Sequence, residues 1–575
     1  MQRTTPDGVW HYDRSNITIN SAYRVGSSTT TITDPQQNQT VINFFGSVFS
    51  PGLFEAQRKV YNGSAAGTPL EETDTCYDGT SPLSNCISAP DIRPPFSEIN
   101  VYRSLNGGPY SRVDTFYNTA TGQVTEKDEY DFGASTPTRK TLISYATLGN
   151  GVVDRPSVVT VTDGGGNVKS QTSYTYDEDA ASLQPSGASQ LTSVTCVPSN
   201  LPCRGNVTTL QQYVTSSTYL TKSFTHYDSG AVYVATDVNG TTSTSTYGDC
   251  GNSLLTNTTV HVRPPLSKSY DWNCTGGVMV SSTDENSKQT TYTYTDGFYW
   301  RPHSTSFPDG GSTTYTYNTA SVPWTKTVSS AIDASHNLVT TTIFDTLARV
   351  QHTQLTSAPD GTIYADTTYD NRGRLASQSN PYHTTGDPTY GLTNYTYDAM
   401  SRVLTVRKPD GATTSTTYNK GATQVQDEGN GTSPVTRVSQ TDGLGRLTSV
   451  CEVTNATQLG ITPAPAACGQ DIAATGFLTS YQYDTLDNLT QITQGGLNLR
   501  SFAYDELSRL TSASNPESGN TYYTYDTVRA GELYQRVSPK PNQTGSDTVT
   551  TTYSYDGVHR LLSKAYTDGT PTVNF

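Results

Sequence analysis

Six aspartates in this sequence are each followed by an arginine four residues later: Asp345/Arg349, Asp370/Arg374, Asp398/Arg402, Asp442/Arg446, Asp505/Arg509 and Asp556/Arg560. A carboxylate beside a guanidinium can serve acid–base chemistry or fasten a turn. Catalysis uses one or two carboxylates whose surroundings push their proton affinities apart, not the same pair in unit after unit. Recurrence therefore points to architecture, and a bidentate Asp–Arg pair across a tight turn is the expected geometry. His11, His226, His261, His303, His336, His352, His383 and His559 are scattered, without an HExxH or other paired spacing. No GxSxG elbow and no Cys–His nucleophile is recognisable. Gly164-Gly165-Gly166 lies between two strand-like runs and opens no helix, so it is not expected to cradle phosphate. The sequence thus predicts no catalytic, cofactor-binding or metal-binding residue, and no enzyme.

Eight cysteines fall into four local pairs, Cys76 with Cys86, Cys196 with Cys203, Cys250 with Cys274, and Cys451 with Cys468. An even count permits pairing without proving it. No CxxC or nearby histidine favours zinc. Disulfides are the expectation and free structural thiols the alternative; an extracytoplasmic destination follows from the former.

The elements that carry the Asp–Arg pairs are read most plainly in Asn394 to Lys420, NYTYDAMSRVLTVRKPDGATTSTTYNK. Tyr395 and Tyr397 alternate with polar residues, which places them on one face of a strand. A turn opens at Asp398, Arg402 to Arg407 alternates again, and Pro409-Asp410-Gly411 reverses the chain before Thr413 to Tyr418. Each unit is a β-hairpin. Tyr397, Tyr369, Tyr504 and Tyr555 precede the aspartates of their units, so tyrosine, aspartate and arginine together form the structural repeat. An apolar residue follows the aspartate by two in five of the six units, at Leu347, Met400, Leu444, Leu507 and Val558. With so few apolar anchors, one unit must be covered by the next.

Composition agrees with many reversals and little core. Of 575 residues, 33% are hydrophobic with Tyr counted. Exchanging the 39 Tyr for the 47 Gly gives about 34%, against roughly 45–50% in ordinary domains. Only 15% are charged, unlike a highly charged disordered chain. A net charge of −15 without clustered Lys or Arg argues against a nucleic-acid partner. No apolar run is long enough to span a bilayer as a helix, and Met1 to Trp10 has no apolar signal-peptide region.

Taken in order, residues 1–125 read as an irregular β-rich segment with divergent repeats, and 126–575 as the repeat array, ending inside a repeat. Asn43 to Phe54, the most apolar early stretch, reads as a strand or plug, and Gly63 to Pro94 as loop-rich. Val152 to Thr162 and Val168 to Tyr176 flank the glycine turn. Two hairpins fit in each of the intervals Tyr130–Tyr176 and Tyr176–Tyr227. From Tyr247 the marks tighten through Tyr270, Tyr294, Tyr317, Phe344, Tyr369, Tyr397 and Tyr418, then recur at Tyr483, Tyr504, Tyr525 and Tyr555. Intervals of that size signal an array. An insertion with Pro463 and Pro465 interrupts it as a surface loop.

The units YDAMSRVLTVRKPDG, YDELSRLTSASNPESG and YDNRGRLASQSNP resemble the YD-repeat, or Rhs-repeat, family, well over about Tyr227 to Phe575 and less so from Tyr130. That resemblance implies an all-β fold of repeated antiparallel β-hairpins, a long sheet spiralling into a hollow shell (a YD-repeat β-solenoid). In the family, bacterial Rhs proteins and toxin-complex cocoons enclose a carboxy-terminal toxin, and teneurins act in adhesion. Toxin-bearing members continue into a self-cleaving core segment and a toxin domain; neither is recognisable before Phe575. The expectation is a structural, non-catalytic shell segment of a secreted or cell-surface bacterial Rhs-like protein, with a carboxy-terminal toxin cargo or the rest of a longer chain as partner. Two alternatives stand beside it, an adhesin that binds glycans and a self-associating fibre subunit.

Overall fold

A computed structural model describes the chain except residues 79–91, 190, 192–193, 216, 296–298, 430–432, 455–463, 496–497, 527–530 and 541–546. Among the described residues there are 43 strands, from Gln2–Thr4 to Val573–Asn574, and no helix. The fold is all-β, built of successive antiparallel hairpins. The chain divides into two compact units, one of residues 1–140 and 315–481, the other of 141–314 and 482–575.

In the first unit, Leu392–Tyr397, Val403–Arg407, Thr413–Asn419 and Ala422–Gln426 show how the sequence dictates the sheet. Asn394 and Thr396 are exposed while Tyr395 and Tyr397 are half-buried, the period-two pattern of a strand with one covered face. Tyr395 pairs with Val406 and Thr396 with Thr405, and then the register slips so that Tyr397 meets Val403. That slip is a β-bulge, the extra residue left by a three-residue loop. The second unit repeats the device: Tyr504 meets Leu510 and Tyr555 meets Leu561, each after a slip.

The low aliphatic content has its counterpart in packing. The largest side chains under 2% exposed are Val438, Asp74, Cys76, Cys451, Ser47 and Ser104, so half of them are polar. One apolar cluster, Ala422, Val438, Cys451 and Cys468, is backed by Val453, Ile472, Ala474 and Leu478 in the first unit.

Three expectations change. Asn43 to Phe54 is not one strand but the bend between Gln39–Gly46 and Leu53–Tyr61, because Ser50-Pro51-Gly52 turns the chain. Gly63 to Pro94 contains the strand Glu71–Tyr77, paired on both sides. Its sequence EETDTCY has no apolar alternation to betray it. Among the described residues between Tyr176 and Tyr227 there is one hairpin, Val207–Thr215 with Thr218–His226, where two were expected; Pro185, Pro198 and Pro202 precede it and suit a ladder poorly. The glycine turn forms as expected between Pro156–Thr162 and Val168–Tyr176. Pro463 lies outside the described residues, and Pro465 leads into the two-residue strand Ala466–Ala467.

Candidate functional site

The recurring turn is a closed polar device. In the unit at Asp398, the Asp398 N–H donates to the Arg402 carbonyl at 3.0 Å and the Ser401 N–H to the Asp398 carbonyl at 3.0 Å. Ser401 sits at φ 65°, and the same place in the other turns is held by Ala348, Gly373, Gly445, Ser508 and His559, all at positive φ. A non-glycine residue there costs about 1 kcal/mol or more. The aspartate offsets that cost: Asp398 Oδ1 accepts from the N–H groups of Met400 and Arg402 at 2.9 Å each. Its Oδ2 accepts from Arg402 Nε at 2.7 Å.

The same contacts recur at Asp370 with Arg374 (Nε to Oδ2, 2.8 Å), Asp505 with Arg509 (2.7 Å) and Asp556 with Arg560 (2.7 Å). They recur again at Asp345 and Asp442. The expected bidentate pair is therefore corrected. Oδ1 is occupied by the turn's own N–H groups, so only Oδ2 faces the arginine. Burial alone would raise the carboxyls of Asp345, Asp370 and Asp556, but these N–H groups and the arginines hold all three below the usual carboxylate range.

With Nε engaged by its aspartate, the rest of the guanidinium reaches the next unit. Arg374 lies 4.5 Å from the Tyr397 ring centroid, Arg402 4.2 Å from Tyr418, Arg349 4.1 Å from Tyr369 and Arg509 4.4 Å from Tyr525. The tyrosine answers. The Tyr397 hydroxyl donates to the Leu375 carbonyl at 2.8 Å, Tyr418 to Val403 at 3.1 Å, Tyr369 to Val350 at 2.9 Å and Tyr525 to Leu510 at 3.0 Å. In each case the acceptor is the residue just after the arginine. Tyr555 donates likewise to Leu533 at 3.0 Å. Tyr504 is half-buried, and burial raises its phenol. Each clasp combines a cation–π contact of about 0.5–1 kcal/mol with a hydrogen bond of about 0.5–1.5 kcal/mol.

The sequence reading missed turns in which another residue replaces arginine. Asp484 is closed by Asn488, Asp34 by Asn38, Asp163 by Asn167, and Asp284 Oδ1 accepts from the Asn286 and Lys288 N–H groups. The aspartate is what these turns share with the Asp–Arg units, and an Asp followed four residues later by Asn was the available signal. Also missed was a polar row in the first unit that runs from half-buried Thr29 and Asn43 to buried Gln57 and Asp74. Thr29 donates to Asn43 at 2.9 Å, Asn43 to Gln57 at 3.1 Å and Gln57 to Asp74 at 2.8 Å, across consecutive strands. Asp114 pairs directly with Asp128, beside Arg112 and Lys140 respectively, at 3.0 and 3.1 Å. Burial pushes Asp128 up to about 6 despite Lys140, and raises Asp74 and Asp114 too. Spacings of 14 residues, at Thr29, Asn43 and Gln57 and again at Asn100, Asp114 and Asp128, were its sequence trace.

Turns also join stretches far apart in sequence. In the first unit Arg349 grips both oxygens of Asp7 at 2.7 Å, Arg372 Nη1 lies 3.2 Å from Asp34 Oδ2, and Arg374 donates to Gln36 Oε1 at 2.7 Å. Gly8 has to be glycine there, because a Cβ would come within 2.7 Å of the Asn371 carbonyl oxygen. In the second unit the turn at Asp237 meets the turn at Asp556 through Thr241 Oγ1, which donates to the Gly557 carbonyl at 2.7 Å.

Disulfides join Cys196 to Cys203, Cys250 to Cys274 and Cys451 to Cys468. Cys76 is also disulfide-bonded, while Cys86 lies outside the described residues. Among the described residues, no group of three or more His, Cys, Asp or Glu is placed to hold a metal ion. Nor is any helix of the described residues long and apolar enough to cross a membrane. A cavity of 280 Å³ in the first unit is lined by Asp131, Lys420, Asp442 and Asp471 among others. Its carboxylates are engaged: Asp131 accepts from the Gly443 N–H at 2.6 Å and Asp471 from the Gln440 amide at 2.7 Å.

Fold and turn together define a repeat array of clasped β-hairpins. Over 98% of its length the chain matches the solved TcdB2–TccC3–Cdc42 structure, with a TM-score of 0.68 at 11% identity. It matches TcdB2–TccC3 alone equally well, at 0.68 and 12%. A Photorhabdus luminescens Tc holotoxin pore follows at 0.67 and 11%. The chain covers 40%, 38% and 39% of those chains respectively, about two fifths of their length. These likenesses establish that the chain shares the fold of those chains. No family model matches the sequence, and neither does any curated protein.

Proposed function

We propose that the chain is a non-catalytic shell segment, the wall of a secreted or cell-surface assembly of the Rhs type. The observation that carries this reading is the closure of the repeated turn: in each of the six Asp–Arg units Oδ1 accepts two backbone N–H groups and Oδ2 faces the arginine. The groups that look reactive in the sequence are consumed in fastening. Disulfides fit an oxidising compartment outside the cytoplasm. Likeness to TcdB2–TccC3 chains supports a role around a carboxy-terminal cargo, which is the partner we assign. Single-particle imaging of the purified protein tests it, with a wall around an empty lumen as the expected result. A solid particle or a flat sheet overturns the shell. If the lumen is present, protease protection of the segment that follows this array in the native protein tests the cargo.

A further inference from the structure

The turn at Asp556 departs from its siblings at the position of positive φ, where His559 stands at φ 65°. Its ring reaches away from its own turn to two carboxylates. Nδ1 lies 2.6 Å from Glu532 Oε1, and Nε2 lies 2.8 Å from Asp237 Oδ2, 322 residues away in sequence within the same unit. A neutral imidazole carries one N–H and so can donate to only one of these acceptors; the imidazolium donates to both. Nε2 also has a second neighbour, the Asn239 amide nitrogen at 3.2 Å, a donor that suits a bare ring nitrogen. The ring thus faces an acceptor that wants its proton and a donor that wants its lone pair.

We propose that His559 is a proton-operated latch that, when charged, adds its Asp237 contact to the Thr241–Gly557 bond between the 237–241 and 556–560 turns, and releases Asp237 when neutral. Burial opposes the charge, but the hydrogen bonds that the ring donates to Asp237 and Glu532 outweigh it, so the imidazole is raised above its ordinary 6.5. Asp237 is held below its usual range, with burial again opposed by the Val238 N–H and by His559. The other charged groups here are Lys222, 3.7 Å from Asp237 Oδ1, and Asp556 with Arg560 inside the turn. Tyr555, whose phenol burial raises, adjoins Glu532. Lys222 keeps Asp237 ionised while contributing no hydrogen bond at that distance, so loss of the imidazole proton leaves two acceptors face to face. For a histidine raised on folding, the stabilisation is present below 6.5 and is lost as pH rises through the folded value. The latch closes at low pH and opens as pH rises through the folded value above 6.5.

Hydrogen–deuterium exchange on the whole protein, read by mass spectrometry at histidine C2 and at backbone amides, tests the latch. We expect His559 to titrate above 6.5, and protection across 237–241 and 556–560 to fall about tenfold more than elsewhere between pH 6 and 9. His559→Asn, a residue that tolerates positive φ, should abolish that pH dependence, and Asp237→Asn should lower the His559 titration point. Titration of His559 at or below 6.5 overturns the proposal. So does the same pH-dependent loss of protection in His559→Asn. The latch stands whether or not the assembly proves hollow.

Discussion

Arg349 and Asp7 meet through two hydrogen bonds of 2.7 Å although 342 residues separate them. Arg349 Nε is meanwhile held by Asp345 at 2.8 Å, so one guanidinium serves two carboxylates in its own plane. A planar fork can do this and a lysine cannot. Arg349→Lys should therefore cost about 1.5–3 kcal/mol, the range for hydrogen bonds to charged groups. A double-mutant cycle with Asp7→Asn, followed by urea denaturation, should return a coupling of at least about 1 kcal/mol. Additive effects of the two changes would contradict a direct pair.

Removing one hydroxyl isolates half of a clasp. Tyr397→Phe keeps the ring under Arg374 but deprives the Leu375 carbonyl of its donor. The expected loss is about 1 kcal/mol, with Tyr397→Leu losing roughly 1 kcal/mol more as the cation–π contact goes. Equal stability of the Phe variant and the parent in chemical denaturation would show that the hydroxyl fastens nothing.

Carboxyls of opposite tendency predict a stability maximum on the acid side of neutrality. Asp345, Asp370 and Asp556 are lowered, so their stabilisation is present above the unfolded value of 3.8 and is lost as pH falls through their folded values. Asp128 is raised to about 6, so its stabilisation is present below 3.8 and is lost as pH rises through about 6. Denaturation midpoints should therefore be higher near pH 5 than at pH 7.5 and should fall steeply below pH 4. Asp128→Asn should flatten the alkaline limb. A midpoint rising steadily from pH 5 to 7.5 would refute the assignment.

Reduction should weaken the two units by different amounts at different bonds. Cys250–Cys274 closes a loop of 24 residues and Cys196–Cys203 one of 7. On loop entropy alone the longer one stabilises by about 1 kcal/mol more. Cys451→Ala with Cys468→Ala should cost most, because that bridge also lies in the apolar cluster around Val438. Thermal midpoints of the three double variants give the order directly.

The hairpin rhythm was legible because Tyr395 and Tyr397 alternate with polar residues and because Asp398 and Gly411 mark the reversals. The closure of the turn was only half legible. Spacing brought Asp398 and Arg402 together but gave no hint that backbone N–H groups would claim one carboxylate oxygen. Asp484 with Asn488 was less legible because asparagine carries no charge to mark it as the partner, although its amide closes the turn in the same way. The strand Glu71–Tyr77 was illegible for a related reason: its covered face carries Asp74, fully buried, where a pattern search expects an aliphatic residue. His559 could not have been singled out. Its partners at Glu532 and Asp237 are brought to it by the fold, and nothing local announces them.

The clasp has a direction. At Arg349, Arg374, Arg402 and Arg509 the guanidinium faces forward and the next unit's tyrosine returns its hydroxyl backward, so each of these units stays unfinished until its successor arrives. Such an array sets like a zip drawn one way. A chain leaving the ribosome would be locked in the order in which it is made, with only the newest tooth open.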